Sequence, residues 1–407
     1  MPIQDLNDLL ASPDGVQFLE SQDIVLDQNN FVKRLTAPAQ AGFIEAYGAT
    51  HPKPVYALQQ VYIDCTRSML DRMLLLEWLE QQEDCFPFFL WIDTDLAGTD
   101  ALMQRFFWPL FGKRASVRFS AGSNDPLELR SIPIDPSRVE QALEKLNTYL
   151  SQSITGRKKV TRARAKERYE QLKAVFLQHK SGVLSELNHS VTYFLLNHHA
   201  GLNPFSVLVS DLLDSDLITA EVNLYLNHID DVIKVFNHAV QTLHERDIDP
   251  KVRPLAEDYL PLNFSCLDCS RRLRLRREVQ DQDVFAVATC RCQNQYRFHL
   301  GNHRLSIDEI VEAGPWSPDV SLTLFMKDFV SGYIGGGSSG IYYGLVMKDV
   351  LEKVLQKRRV PILLARPTRA DDDPEAFDSL LYSYLMNHTG KHLGQTSGHF
   401  SVCSPSG

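Results

Sequence analysis

Four of the seven cysteines in this 407-residue chain fall within 27 residues. They read Cys266-x2-Cys269, then twenty residues, then Cys290-x-Cys292. In a soluble chain otherwise poor in cysteine, such clustering points to metal ligation rather than to a disulfide framework. The intervening segment alternates apolar and charged residues, with Leu273 and Leu275, then Val284, Phe285 and Val287, a β-hairpin pattern. A tight pair, a hairpin and a second tight pair is the zinc-ribbon layout, in which four thiolates converge on one ion with Zn–S near ~2.3 Å. Four thiolates leave no open coordination position, so the zinc expected here is structural. Arg271, Arg272 and Arg291 stand ready to offset the anionic centre. Substitution of His299 or His303 for one cysteine, and four unrelated thiols or a redox pair, are the competing readings.

Carboxylates form the second group. Asp93, Asp95 and Asp100 follow the apolar run Phe86-Pro-Phe-Phe-Leu-Trp-Ile92. In open α/β sheets ligands bind beyond the carboxyl ends of strands. Carboxylates there can hold an amine, a sugar hydroxyl or magnesium, and the plain alternative is helix capping by Thr94, Asp95 or Thr99. A third group is the glycine-rich turn Gly335-Gly336-Gly337-Ser338-Ser339-Gly340, with a strand-like lead and a helix behind it. Consecutive glycines followed by a helix start expose N–H groups that cradle an anion. A tight turn needed for packing explains the same residues, which match neither a dinucleotide fingerprint nor a P-loop. The segment Arg157–Arg168 carries seven cations and one acid, with positions 157, 164 and 168 on one helical face. It reads as a solvated face or as a phosphate contact. Asn197-His198-His199 and Asn387-His388 lack metal spacing. Cys65 and Cys85 read as buried thiols, and Cys403 lies in a polar tail.

The elements that position these groups alternate. Pro54-Val-Tyr-Ala-Leu reads as a strand, a helix continues to about Gln82, and 86–92 is a strand buried on both faces. A helix is expected over 98–108, and one or two strands within 116–134. Strand–helix–strand order argues for an α/β, Rossmann-like doubly wound parallel sheet. From Asp135-Pro136-Ser137 to about 247 the chain reads as helical. The expected organisation is an N-terminal part of the sheet over 1–135, a helical insertion over 136–250, a zinc-ribbon hairpin over 251–305, and the C-terminal part of the sheet with a tail over 306–407. Within the last part, a helix near 306–313, a turn at 314–318, a helix ending near Lys357 and a strand at 360–365 are expected.

The formal net charge is −9, so the chain as a whole is no electrostatic nucleic-acid binder. The first residues carry acids and no apolar stretch, so no secretory signal is expected. No run approaches the 18 apolar residues of a membrane span, and a cytoplasmic setting is expected.

Several motifs line up in an order that resembles the bacillithiol-synthesis cysteine ligases, which add cysteine to glucosaminyl malate. They are Pro54–Gln60, Phe86–Asp95, Trp316-Ser-Pro-Asp-Val-Ser-Leu322, Tyr333–Gly337 and Val360–Arg366, covering roughly residues 50–366. The family's T-G-Q-Q turn reads Ala57-Leu58-Gln59-Gln60 here. Its E-D-H-D strand end reads Asp93-Thr94-Asp95, and its G-G-P-G-E turn reads Gly335-Gly336-Gly337-Ser338-Ser339. Only about 40 residues follow the last strand, where the family carries a long coiled coil. The resemblance is to a shortened, zinc-bearing relative. It implies a synthetase-related core and C–N bond formation between an amino acid donor and an amine, with ATP or a preactivated donor supplying activation. Asp93 and Asp95 would be catalytic, while Gln59, Gln60 and the turn 335–339 would bind substrate or nucleotide. Small-molecule substrates follow from this reading. An aminoacyl-tRNA donor and a non-catalytic binding role are its alternatives.

Overall fold

The computed structural model describes residues 5–63, 67–82, 84–96, 105–110, 113–118, 126–215, 217–319, 322, 328–336, 338–365 and 380–386. Along them the strands are β1 (Ile24–Val25), β2 (Lys53–Gln60), β3 (Cys85–Ile92), β4 (Arg105–Leu110), β5 (Lys113–Arg118), β6 (Phe205–Leu208), β7 (Tyr259–Ser265), β8 (Arg272–Gln280), β9 (Asp283–Thr289), β10 (Gln295–Gly301), β11 (Trp316–Pro318), β12 (Gly332–Gly336) and β13 (Ile362–Ala365). A six-stranded sheet has the order β1-β13-β12-β2-β3-β6, a five-stranded sheet the order β10-β9-β8-β7-β11, and β4 pairs with β5. The β1–β13, β13–β12 and β12–β2 pairs are parallel, with Ile24 and Tyr333 both opposite Ile362. Parallel neighbours require crossovers, commonly helical. The chain is therefore α/β, with an antiparallel sheet beside the parallel one. Among the described residues no helix is long and apolar enough to cross a membrane.

Two compact units share the chain. One comprises Met1–Leu58, Leu79–Leu90 and Val207–Ala365, the other Gln59–Trp78, Trp91–Ser206 and Arg366–Gly407. In the first, strands buried on both faces explain the continuous apolar reading of β13 and of Val55–Ala57. Phe43 stacks on Phe88 at 4.3 Å and on Phe329 at 5.7 Å, and Tyr56 lies 4.9 Å from Tyr333. The amino-terminal helices are capped by Asp5 and Ser12. Gly15, in the second of them, lies against the first: a Cβ there would sit 2.1 Å from the Leu9 carbonyl oxygen. Gly15→Ala gains up to about 1 kcal/mol of helix propensity. It must also displace backbone, which costs about 3 kcal/mol. The clash wins, and the urea midpoint should fall; an unchanged or higher midpoint would refute this packing.

In the second unit, helices Pro136–Ser153, Lys159–Gln178 and Leu184–Leu195 bury Leu143, Leu146, Leu150, Leu172, Phe176 and Leu187. The Tyr169 hydroxyl donates to the Leu143 carbonyl at 2.8 Å, tying the first two helices together. Leu195 runs into a five-residue π-turn, Leu196–Ala200, ended by Gly201 at φ +69.

Some expected elements differ. Residues 105–108 are not helical: Phe106, Phe107 and Trp108 lie in β4, opposite Val117, Ser116 and Ala115 of β5. Aromatic residues favour such a pleated surface, and the partner strand supplies its hydrogen bonds. The rest of the expected helix, 98–104, lies outside the described residues. The helical stretch 136–247 is interrupted by β6, which follows Pro204. Trp316–Pro318, read as a turn, is an edge strand pairing with Leu262–Phe264. Pro318 is tolerated there because an edge strand needs no donor on its outer side.

Candidate metal centre and strand-end site

The cysteine pairs occupy two loops at one end of the five-stranded sheet. Cys266–Arg271 joins β7 to β8, and Cys290–Asn294 joins β9 to β10. Between them β8 and β9 form the expected hairpin, closed by Asp281 and Gln282 at φ +50 and +78. Two consecutive positive φ values make the tight turn whose twist matches that of the strands. Each cysteine loop is locked by its own backbone. The Cys266 N–H donates to the Arg271 carbonyl at 2.8 Å and Ser270 donates back to Cys266 at 2.8 Å. In the second loop Cys290 donates to Asn294 at 2.8 Å and Gln293 donates to Cys290 at 3.0 Å. Ser270 and Gln293 both adopt positive φ, which turns each chain back toward its strand.

This brings the four sulfurs together. Cys266 and Cys292 are 3.5 Å apart, Cys269 and Cys290 3.4 Å, Cys269 and Cys292 3.8 Å, and all four Sγ atoms lie within 4.8 Å of one another. A tetrahedron with Zn–S bonds of ~2.3 Å has edges of about 3.8 Å. The spacing therefore fits one metal ion and is far too wide for a disulfide, near ~2.05 Å. Among the described residues no other set of three or more His, Cys, Asp or Glu converges in this way. Cys266 and Cys290 are buried while Cys292 is exposed. Around Cys266 the Tyr296 hydroxyl donates to Sγ at 3.2 Å and accepts from the Leu267 N–H at 2.9 Å. Burial opposes ionisation of Cys266, but the Tyr296 hydroxyl and the N–H groups of Cys269 and Asp268 overcome it and draw the thiol down to about 6. Burial pushes Cys269 the other way, to about 12, helped by the neighbouring sulfurs. Thiols this close resist shared ionisation unless a cation sits among them. His299 is not drawn into the cluster: its Nε2 lies 3.0 Å from Asp283.

A second group gathers in the unit that begins at Gln59. The Gln60 side-chain amide donates to the Asp95 carboxylate, which also accepts the Leu96 N–H at 2.7 Å. Arg72 donates to the side-chain oxygen of Gln59. The backbone around these residues is fixed from two sides. Arg130 and Leu129 donate N–H groups to the carbonyls of Asp93 and Asp95 at 3.0 and 3.1 Å. Asn188 and Thr192 donate to the carbonyls of Val61 and Tyr62 at 3.1 and 2.8 Å. The site is unusually polar for an interior. Asp71, Arg72, Asp93 and Glu128 are 1–3% exposed, and Glu128 pairs with Arg130 at 2.8 Å. Asp93 is enclosed; Asp95, Gln59 and Gln60 are part-exposed and reach solvent.

Arg72, Glu128, Arg130, Asn188 and Thr192 were not singled out from sequence. Asn188 and Thr192 carried a usable signal: polar residues four apart on the apolar face of Leu184, Leu187, Val191 and Leu195. Asp100, Cys65 and His388 lie outside the described residues.

The glycine run is divided between elements. Gly335 and Gly336 lie in β12, Gly337 is outside the described residues, and Ser338 and Ser339 open the helix Ser338–Asp349. A Cβ at Gly335 would stand 3.0 Å from Ile341, and one at Gly340 would stand 2.6 Å from the Tyr333 hydroxyl. Close packing thus accounts for these two glycines. These residues and the Asp95 group belong to different units. The basic segment opens helix Lys159–Gln178. Arg168 is drawn from it, donating to the Tyr384 carbonyl at 2.6 Å, while Arg157 precedes the helix. His198 stacks on Phe194 at 4.6 Å, and His199 is buried beside Tyr384. The chain matches no protein-family model and no curated protein.

Proposed function

We propose that this chain is a small-molecule ligase that joins an amino acid to an amine acceptor and is held together by one structural zinc ion. Zinc is carried by the tetrahedral spacing of Cys266, Cys269, Cys290 and Cys292. Four thiolates saturate the ion, so it contributes stability and no open position for substrate. The six-stranded sheet is read as the Rossmann-like core that the family resemblance implies.

The ligase reading rests on one observation: a part-exposed carboxylate, Asp95, just beyond the carboxyl end of β3, held in place by Gln60. An ammonium group is its natural ligand, since it donates up to three hydrogen bonds to acceptors of this kind. Asp93, two residues earlier, is buried and is not placed to touch a ligand directly. Amide formation consumes an activated carboxyl: the bound ammonium first gives up one proton to solvent, and the neutral amine attacks the acyl carbon. The nitrogen then loses a second proton, and phosphate, AMP or the ester's alcohol leaves with the electron pair of the broken C–O bond. ATP or a preactivated donor is therefore required. Separately, within its own unit, the β12–helix junction with Gly335, Gly336, Ser338 and Ser339 is read as a cradle for a phosphate or carboxylate.

Incubation with ATP, each amino acid and a panel of amines, read by mass spectrometry, should give an amide product. Asp95→Asn keeps the shape and removes the charge. Truncating one side of a desolvated ion pair costs about 2–4 kcal/mol, roughly 30- to 1000-fold in kcat/KM. Full activity in this variant, or no amide from any pairing, would end the ligase reading while leaving the metal centre untouched.

A further inference from the structure

The first turns of helix Lys159–Gln178 present an uncompensated positive surface. In a chain with 51 Asp and Glu residues, the stretch 151–166 contains none, while 157–166 holds six cations. Arg157, Lys158, Lys159, Arg162, Arg164 and Lys166 are all exposed. None of the six makes an ion pair among the described residues, whereas Lys173 further along pairs with Glu170 at 3.8 Å. Lys159, Arg162 and Lys166 follow the i, i+3, i+7 spacing, so they form one row about 10 Å long at 1.5 Å rise per residue. Placing cations on the first turn also opposes the helix dipole, at about 0.3–1 kcal/mol each. The fold carries this cost with no acid set against it.

We propose that this row is a docking surface for the phosphodiester backbone of a nucleic acid. Charge complementarity is the argument: evenly spaced cations without acids match a polyanion with evenly spaced charges. The features that other occupants need are missing. A membrane-surface helix needs an apolar face turned to lipid. Here that face, with Ala165, Tyr169, Leu172 and Phe176, is buried within the protein. A protein partner would need aromatic or aliphatic anchors, and the only large apolar side chain exposed along 157–166 is Val160, at 70%. Small Ala163 between the cations, and Gly156 just before them, leave room for a backbone to approach. Such contacts position a nucleic acid without reading its bases. The inference does not depend on the ligase reading.

The test uses the full-length, metal-loaded chain and a fluorescein-labelled RNA hairpin, with a DNA duplex of the same stem as the second arm. Anisotropy is followed as salt rises from about 50 to 200 mM, the range over which phosphate contacts weaken steeply. The comparison is the triple variant Lys159→Gln, Arg162→Gln, Lys166→Gln. Glutamine is a good helix former, so folding should persist, checked by an unchanged or higher Tm. The proposal expects binding to at least one probe, and the triple variant should flatten the log–log salt slope by about 2 to 3. RNA alone or DNA alone would name the source. Absence of binding to both, an unchanged slope in the variant, or equal binding to phosphatidylserine vesicles or polyglutamate would overturn it. Ligase activity, assayed separately, remains free to succeed or fail on Asp95.

Discussion

Chelation of the zinc-loaded protein is expected to melt the β7–β11 sheet. The sheet's buried apolar residues include Tyr259, Leu260, Leu262, Phe264, Leu275, Ala286, Phe298, Leu300 and Trp316, but the β8–β10 strands bury few of their side chains. Structural zinc in small peptides contributes about 10–16 kcal/mol at neutral pH, as much as the whole ~5–15 kcal/mol stability of a typical domain. Without the ion the two loops also bring four sulfurs within 4.8 Å with nothing to balance ionised forms. The expected result is one equivalent of zinc released, four thiols newly reactive, and loss of amide protection across Tyr259–Gly301 by hydrogen exchange. Cys290→Ser, at a buried ligand, should reproduce it. Acid should too, because protons compete with metal for thiolate. If the purified protein binds no stoichiometric metal and its exchange pattern ignores chelator, the centre is not a metal site.

Trp91→Ala should be the most damaging single change in the other unit. Trp91 is fully buried, its indole N–H donates to the Ser206 hydroxyl at 3.3 Å, and His189 packs on it edge-on at 5.3 Å. Removing a buried Trp costs about 3–5 kcal/mol. Because Asp93 and Asp95 follow two and four residues later, the cavity should also loosen the carboxylate, and under the ligase reading proposed above KM for the amine would rise along with the loss of stability. Trp91→Phe, which keeps most of the volume, should cost far less. A loss under about 1 kcal/mol for the alanine variant would contradict the burial described here.

Much of this arrangement could be read from residue types alone. The cysteine spacing predicts its own geometry because two short loops joined by a hairpin have few ways to close. The run Phe86–Ile92 reads as a strand because no amphipathic helix would be apolar at every position. What escaped the sequence was non-local. Phe106-Phe107-Trp108 became a strand only because Ala115–Val117 pairs with it, and no local pattern announces a partner. Arg72 meets Gln59 across a helix, and the local Glu128–Arg130 pair reaches the site only through the backbone bonds that Leu129 and Arg130 make to the distant Asp95 and Asp93. Asn188 and Thr192 were visible as polar breaks in an apolar face, but the carbonyls they serve, at Val61 and Tyr62, were not.

The interleaving of the two units has a consequence for synthesis. The chain passes from one unit to the other five times, and the first unit is complete only at Ala365. Its strand β1 finds its parallel neighbour, Ile24 opposite Ile362, near the far end. At about 5–20 residues per second, translation of the intervening chain takes roughly 20 to 70 s. Throughout that time Ile24 and Val25 have no β13 to pair with, and the strand that will receive them does not exist. The cysteine-bearing segment Tyr259–Gly301, by contrast, is contiguous and carries all four clustered thiols itself. With zinc bound as proposed, its capture would precede completion of the parallel sheet, and the ion would be an early fixed point around which a late-assembling chain is organised.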